Sequence, residues 1–217
     1  LTRTSGIAER SPSWSPDGRW IAYFSDESGE YEVYVTQSDG KGETRQLTDD
    51  GEAFKTMLDW SPDSSKILYM DKTASTYLID VESGERTFVD KDPWGQGGLP
   101  NWSHDSRWLT YARTDERTFM TSIQLYEVET GERHQVTSGM FADSSPTFDR
   151  KGDWLYFSSM RSFQPEYGSI GDGTWIYRNG EVLLAVPLRA DITTPFTHEI
   201  DEETWDDESE DEDTDEE

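Results

Sequence analysis

The sequence predicts an all-β protein, a β-propeller of four consecutive four-stranded antiparallel blades that belong to a six- or seven-bladed ring. Two observations predict this fold class. A turn motif occurs four times at spacings of 46, 42 and 46 residues. After each copy comes the same succession of short apolar runs and glycine turns. Four short strands in a unit of about 40–45 residues are typical of one propeller blade.

The repeated motif is "WSPDGRW" at residues 14–20. Its copies are "WSPDSSK" at 60–66, "WSHDSRW" at 102–108 and the more distant "FDRKGDW" at 148–154. Nine positions after the first residue of each copy stands an aromatic residue, namely Tyr23, Tyr69, Tyr111 and Phe157. The motif is therefore predicted to be the turn between the first two strands, a and b, of each blade, with Trp14 and Trp20 as core anchors.

Two further runs in each unit predict strands c and d. Both runs are rich in β-branched and aromatic residues, and a glycine turn separates them, as expected for paired strands. The predicted c strands are "YEVYV" at 31–35, "TYLID" at 76–80, "IQLYEV" at 123–128 and "TWIYR" at 174–178. The predicted d strands are "RQLT" at 45–48, "RTFV" at 86–89, "HQVT" at 134–137 and "VLLAV" at 182–186.

The predicted organisation has six parts. Residues 1–10 form the end of a preceding blade and a connector, because "LT" at 1–2 matches "LT" at 47–48 in its distance from the next motif. The four blades span 11–50, 51–92, 93–138 and 139–190. Residues 191–217 form an acidic disordered linker, since residues 199–217 hold 14 acids and no Lys or Arg. A run of one charge sign repels itself and cannot bury a core.

Charge and composition exclude several classes of function. Outside the acidic run, 32 acids stand against 19 bases, a net charge of −13. An acidic surface argues against nucleic acid as a partner, because phosphate binding needs basic residues. The sequence contains no run of about 18 apolar residues, so it predicts no membrane span. The chain has no Cys, which excludes disulfides, thiolate metal sites and cysteine nucleophiles, and it leaves the cellular compartment open.

The sequence predicts no catalytic residue, cofactor or metal site in this segment. It has no Gly-x-Ser-x-Gly elbow, and its histidines occupy unrelated repeat positions without triad spacing, which favours scaffold or solvent roles. Each repeated turn supplies one carboxylate, too few for a calcium loop, so turn hydrogen bonding is the expected role. The histidines are His104, His134 and His198, and the turn carboxylates are Asp17, Asp63 and Asp105.

Blade topology predicts where binding would occur. Strands alternate in direction, so the d→a and b→c loops emerge on one face and the uniform a→b and c→d turns on the other. The loops of the first face differ strongly between units, and variable loops gathered on one face are where repeat proteins usually bind. The candidate binding residues on these loops are Phe54, Trp94, Phe119, Phe141, Arg161, Phe163 and Tyr167. The alternative is that these side chains pack against a neighbouring blade or domain.

Residues 12–48, "PSWSPDGRWIAYFSDESGEYEVYVTQSDGKGETRQLT", resemble the repeat of TolB-type and tricorn-type propellers. The resemblance covers residues 1–190 and is specific for the repeat superfamily. The segment "VLLAVPLRADITTPFTHEIDEE", which starts at residue 182, and the acidic run after it are similar to a junction in tricorn-like proteases. There the end of the first propeller passes through a charged linker into a second propeller. The resemblance therefore implies the later blades of a first propeller plus the linker.

The resemblance implies a non-catalytic role in a serine-type peptidase. The segment would act as a scaffold or guide peptides or unfolded polypeptide towards a distant active site. Its partners would be the remaining blades and the protease domains of the parent chain, in an oligomeric full-length protein. The alternative is a TolB-like protein-binding propeller, with its partner on the variable-loop face.

Overall fold

The computed structural model describes residues 4–51, 53–95, 98, 100–161, 165–167, 175–177 and 180–193, and of 165–167 and 175–177 the backbone alone. All regular structure in this part of the chain is β-strand. Accordingly, nothing in these ranges forms a helix long and apolar enough to cross a membrane.

The first three units each form a four-stranded antiparallel sheet with the strands in sequence order. Sheet 1 contains β1 (Glu9–Trp14), β2 (Trp20–Ser25), β3 (Glu32–Gln37) and β4 (Arg45–Gln46). Sheet 2 contains β5 (Lys55–Trp60), β6 (Lys66–Asp71), β7 (Ser75–Asp80) and β8 (Arg86–Lys91). Sheet 3 contains β9 (Asn101–Trp102), β10 (Trp108–Thr114), β11 (Thr121–Glu127) and β12 (Arg133–Gln135). These are the a, b, c and d strands that the repeat predicts.

The fourth unit departs from the predicted strand order. Sheet 4 has three strands in the described residues, β13 (Asp143–Phe148), β14 (Trp154–Ser159) and β17 (Val182–Pro187). The run at 174–178, predicted as strand c, instead contributes β16 (Trp175–Tyr177), which pairs with β15 (Pro165–Tyr167) in a separate hairpin. Strand β17, predicted as strand d, takes the c position and pairs with β14. It suits this place because Leu184 and Val186 complete the apolar contact with sheet 3.

The repeated motif forms the a→b turn, as predicted. In the first copy, the hydroxyl of Ser15 donates to Asp17 Oδ1 at 2.6 Å and accepts from the backbone N–H of Trp20 at 2.9 Å. The same carboxylate oxygen accepts the N–H of Arg19 at 3.0 Å. The Ser15 hydrogen bond, with that of Arg19, lowers the pKa of Asp17. Ser61 with Asp63 and Ser103 with Asp105 repeat the arrangement.

Consecutive turns are also tied to one another. The backbone N–H of Asp17 donates to the hydroxyl of Ser64 in the next turn at 3.0 Å, and Asp63 donates likewise to Ser106. Both serines have a left-handed backbone, with φ of 64° and 61°, at the position that is Gly18 in the first turn. Glycine would adopt this conformation without strain. Serine is strained here, but its hydroxyl accepts a hydrogen bond from the neighbouring sheet, which glycine could not do.

The sheets pack face to face, and each interface holds its own apolar core. Successive residues of the b strands point to opposite faces, so Ile67 packs towards sheet 1 and Leu68 towards sheet 3. The third core joins sheets 3 and 4 through Ile123, Leu155 and Phe157. Strands that are apolar on both faces are therefore explained by a sheet on either side, as the sequence indicates.

The two tryptophans at equivalent positions of the first two motifs have opposite environments. Trp60 is 4% exposed, and its ring N–H donates to the carbonyl of Ser13 in the preceding sheet at 3.1 Å. Trp14, predicted as a core anchor, is 59% exposed. The prediction is wrong for Trp14, because this position of the repeat is buried only by the sheet before its own, and no such sheet lies within the described ranges.

A buried ion pair fixes the connection between sheets 1 and 2. Lys55 and Glu32 have side chains that are each 2% exposed, and Lys55 Nζ lies 2.9 Å from Glu32 Oε2. The ammonium also lies 2.6 Å from Asp50 Oδ1. Glu32 accepts further hydrogen bonds from the Thr48 hydroxyl and, at 2.8 Å, from the N–H of Gly51. Buried charges require such partners, so these contacts tie Thr48, Asp50, Gly51 and Lys55 to Glu32 or to one another.

Candidate functional site

The loops after the b and d strands lie together on one face, which we call the variable-loop face. Among the residues that the structure describes, six exposed large apolar side chains lie on these loops. They are Phe54, Trp94, Phe119, Met120, Met140 and Met160. Exposed clusters of aromatic and methionine side chains are typical of binding surfaces.

Trp94 and Phe119 form an exposed aromatic pair. Trp94 follows β8 and Phe119 lies in the b→c loop of sheet 3, so the pair joins two neighbouring units. Their ring centroids lie 4.5 Å apart, yet the side chains remain 49% and 57% exposed. The structure therefore brings together two of the predicted binding residues, and both keep surface available for a partner.

The loop that carries Phe119 is held in a strained conformation. Phe119 has φ of 60°, which is uncommon for a residue with a bulky side chain. The carboxylate of Asp115 fixes the turn by accepting hydrogen bonds from the N–H groups of Thr118 and Arg117 at 2.8 and 2.9 Å. These bonds, that of Thr118 foremost, lower the pKa of Asp115. Strained residues cluster at functional sites, which favours a role for Phe119 beyond packing.

Phe141 and Arg161 also meet on this face. The guanidinium carbon of Arg161 lies 5.0 Å from the centre of the Phe141 ring, within the range of a cation–π contact. Arg161 is exposed, and Nε donates to the hydroxyl of Ser159 at 2.9 Å. The exposed Met140 and Met160 adjoin these residues in sequence.

Phe54 has a packing role. The guanidinium of Arg10 lies between two rings, 3.8 Å from the centre of Phe54 and 3.9 Å from that of Tyr31. Phe54 is 37% exposed, so much of its surface is used by this stack. Phe163 lies outside the described residues, as does the side chain of Tyr167 within β15.

A polar cleft opens beside the aromatic pair, between sheets 2 and 3. We call it the arginine cleft; it measures about 850 Å³ and its charged lining residues are Asp90, Arg113, Asp115, Arg117 and Arg133. Sequence reasoning overlooked it, because its charged residues come from three strands and a loop that are separated along the chain. The available signal was a departure from the repeat, because Arg113 stands where the other three units have Ser25, Asp71 and Ser159.

The Ser-His-Asp run at 103–105 is part of a turn. The hydroxyl of Ser103 donates to Asp105 at 2.5 Å and accepts from the N–H of Trp108 at 2.9 Å, as in the other copies. His104 and His134 line a second cleft of about 680 Å³ between sheets 3 and 4. Within the described ranges, no three His, Cys, Asp or Glu side chains gather as metal ligands would.

The whole chain, residues 1–217, matches a family model described as the tricorn protease second beta propeller domain. One relative, "Uncharacterized peptidase YuxL" of Bacillus subtilis, is 34% identical over 150 residues, which cover 68% of this chain and 21% of the relative. "Tricorn protease homolog 1" of Streptomyces coelicolor is 27% identical over 172 residues, which cover 77% of this chain and 16% of the relative. The chain thus spans about a fifth of the length of these relatives.

A solved structure, "Crystal structure of the tricorn protease", superposes with a TM-score of 0.75 at 16% identity, over 86% of this chain and 18% of that chain. This likeness confirms the predicted β-propeller class. The tricorn-type resemblance is also confirmed, whereas the family model is that of the second propeller and not of the expected first one. Since the match extends over every residue of the sequence, the chain belongs to the tricorn protease second beta-propeller family.

Proposed function

We propose that this chain is a non-catalytic propeller segment of a tricorn-like peptidase, and that its variable-loop face holds polypeptide on the way to a distant active site. The relatives support the peptidase context, since two of them are named as a peptidase and a tricorn protease homologue. The observation that carries the proposal is the exposed pair of Trp94 and Phe119, presented on a strained loop.

The chemistry of the described residues supports a binding role. The hydroxyl of Ser103 is used by its turn, and the carboxylates of Asp17, Asp63 and Asp105 are used in the same way. The exposed methionines can adapt to different sequences. A surface that guides many peptides needs such adaptability rather than one shaped pocket.

The proposal includes the organisation inferred from the repeat. Blades at 11–50, 51–92, 93–138 and 139–190 would be completed by the remaining blades of the parent chain, with protease domains elsewhere in an oligomeric protein. The exposed Trp14 supports a further blade beside sheet 1, because its counterpart Trp60 packs against a neighbouring sheet.

Binding of a labelled, unfolded polypeptide without net charge tests the proposal. Trp94→Ala should weaken binding by at least about tenfold, as expected when a central aromatic anchor is lost. Phe119→Gly should weaken it comparably while the melting temperature holds or rises, because glycine relieves the left-handed strain. Trp14→Ala is the matched control, since Trp14 is exposed but lies off this face.

Equal binding by Trp94→Ala and Trp14→Ala would contradict the proposal. Binding of folded proteins but not of unfolded polypeptide would support the alternative, a TolB-like interaction module that uses the same face. An exposed aromatic pair would also suit a folded partner.

A further inference from the structure

The arginine cleft is organised around one buried carboxylate. Asp90, whose side chain is 9% exposed, accepts the hydroxyl of Tyr111 at 2.9 Å and the Arg133 guanidinium at 2.7 Å. Nε of Arg113 lies 3.4 Å from the same carboxylate. Two guanidinium groups therefore share one carboxylate, and a third, that of Arg117, lines the cleft beside the turn of Asp115.

The charge balance of the cleft is opposite to that of the protein. Three arginines and two aspartates line it, whereas the whole chain carries a net charge of −27. Asp115 accepts hydrogen bonds from its own turn. Arg113 and Arg133 are 32% and 50% exposed, so each keeps N–H groups that face the open cleft. Guanidinium groups bind carboxylates with two parallel hydrogen bonds.

At the equivalent place between sheets 1 and 2, aromatic rings stand instead of polar side chains. There Tyr77 stacks on Tyr69 at 5.2 Å and meets Phe88 edge-on at 5.6 Å. Strand register aligns Tyr77 with Gln124 and Phe88 with Gln135, because Tyr69 pairs with Tyr77 and Tyr111 pairs with Gln124.

The same alignment places Arg113 where sheet 2 has Asp71. The third unit thus replaces two rings by amides and an acid by an arginine. These changes open the space between sheets 2 and 3, and they supply it with hydrogen-bond donors and positive charge. A purely structural interface would not need this combination.

We propose that the arginine cleft binds the carboxylate groups of an acidic peptide segment. The guanidinium groups of Arg113, Arg117 and Arg133 would hold the carboxylates. The cleft adjoins Phe119 on the 115–120 loop, so the inference deepens the proposed function and rests on it. It adds that the polypeptide held there is acidic.

Two sources could supply such carboxylates. One is residues 199–217 of this chain, with 14 acids, and the other is a separate acidic polypeptide. Both offer the same chemistry, so the experiment must distinguish them. In the neutralised chain, all 14 acids of residues 199–217 are changed to the corresponding amides. This variant keeps the length of the chain and removes only the charge.

The probe is a dye-labelled synthetic peptide with the sequence of residues 199–217, and its binding is followed by fluorescence anisotropy. The amide-neutralised chain should bind this peptide at least about tenfold more tightly than the all-amide version of the peptide, because several charged hydrogen bonds are lost. Equal binding of the two peptides would overturn the inference, as would displacement of the acidic peptide by an equal concentration of inorganic phosphate.

Substitutions in the neutralised chain locate the site. Arg113→Gln should weaken binding of the acidic peptide by about tenfold, while Arg150→Gln, an exposed arginine outside the cleft, should not. Gln135→Phe places in the cleft the aromatic ring that sheet 2 has at this position and keeps every charge, so it should also weaken binding. Unchanged affinity in a folded Gln135→Phe variant would overturn the inference even if Arg113→Gln fails to fold.

Comparison with the unmodified chain identifies the source. If the peptide binds the neutralised chain about tenfold or more tightly than the unmodified chain, residues 199–217 occupy the cleft. Equal affinities mean that a separate polypeptide is the ligand. In one outcome, the uncharged polypeptide still binds through Trp94 although the acidic peptide and its all-amide version bind equally. In that case the proposed function stands and the inference about charge fails.

Discussion

Trp60 offers a direct test of the packing between sheets. Trp60→Ala removes an indole that is 4% exposed within the core shared by sheets 1 and 2. It also removes the hydrogen bond from the ring N–H to the carbonyl of Ser13 at 3.1 Å. Substituting alanine for a buried tryptophan costs about 3–5 kcal/mol, so the free energy of unfolding should fall by that amount.

Two companion variants separate the contributions. Trp60→Phe keeps a ring but not the N–H, so it should cost about 1–2 kcal/mol, mostly the hydrogen bond and part of the buried area. Trp14→Ala is the matched control, because Trp14 holds the same position of the repeat but is 59% exposed. It should cost at most about 1 kcal/mol, as surface substitutions usually do.

The assay is urea unfolding of the whole chain, followed by far-ultraviolet circular dichroism. A lower midpoint at an unchanged m-value would show that stability changed rather than the extent of unfolding. The reasoning would be refuted if Trp60→Ala costs less than about 1 kcal/mol, or if Trp14→Ala costs as much as Trp60→Ala.

Three further predictions concern charge, turns and pH. Lys55→Met should lower the free energy of unfolding by about 3–5 kcal/mol, because it leaves Glu32 buried without its cation. In urea unfolding, the double variant Lys55→Met/Glu32→Gln should recover much of that loss, and no recovery would mean that the ion pair is not the cause. Ser64→Ala should cost about 1 kcal/mol, since the hydrogen bond from Asp17 is lost and the left-handed strain remains. Ser64→Gly should cost less, because glycine relieves the strain, and a larger loss for Gly than for Ala in thermal melts would contradict this account. Hydrogen bonds from the Ser83 backbone and then Lys66 lower the pKa of Asp80 from 3.8 to about 2. A lowered folded-state pKa contributes stability above the unfolded value, and this is lost as pH falls from about 4 to about 2. Asp80→Asn should therefore flatten the pH dependence of the unfolding midpoint in that window, and an unchanged slope would exclude Asp80 as its source.

The repeat in the sequence predicted most of the fold. Four copies of one motif placed the a→b turns and the strands that flank them, and the runs after them placed strands c and d in each of the first three units. Local chemistry suffices here, because Ser, Asp and Gly at fixed spacing close a turn with their own side chains and backbone. The candidate face was predictable for the same reason, since loop lengths follow directly from the spacing of strands.

The fates of particular side chains were decided by tertiary structure. Sequence placed Trp14 and Trp60 at one position of the repeat, but burial depends on whether another sheet covers that position. In the fourth unit, β17 took the place of the predicted c strand, because the residues before it pair with one another in a hairpin.

The arginine cleft shows the same division between sequence and structure. Asp90, Arg113 and Gln135 are separated along the chain, and none of them by itself indicates a binding site. Only the packing of sheet 2 against sheet 3 brings their side chains to one space, since such contacts depend on long-range pairing. The sequence by itself determined the blades, and the tertiary structure determined which of their surfaces could bind.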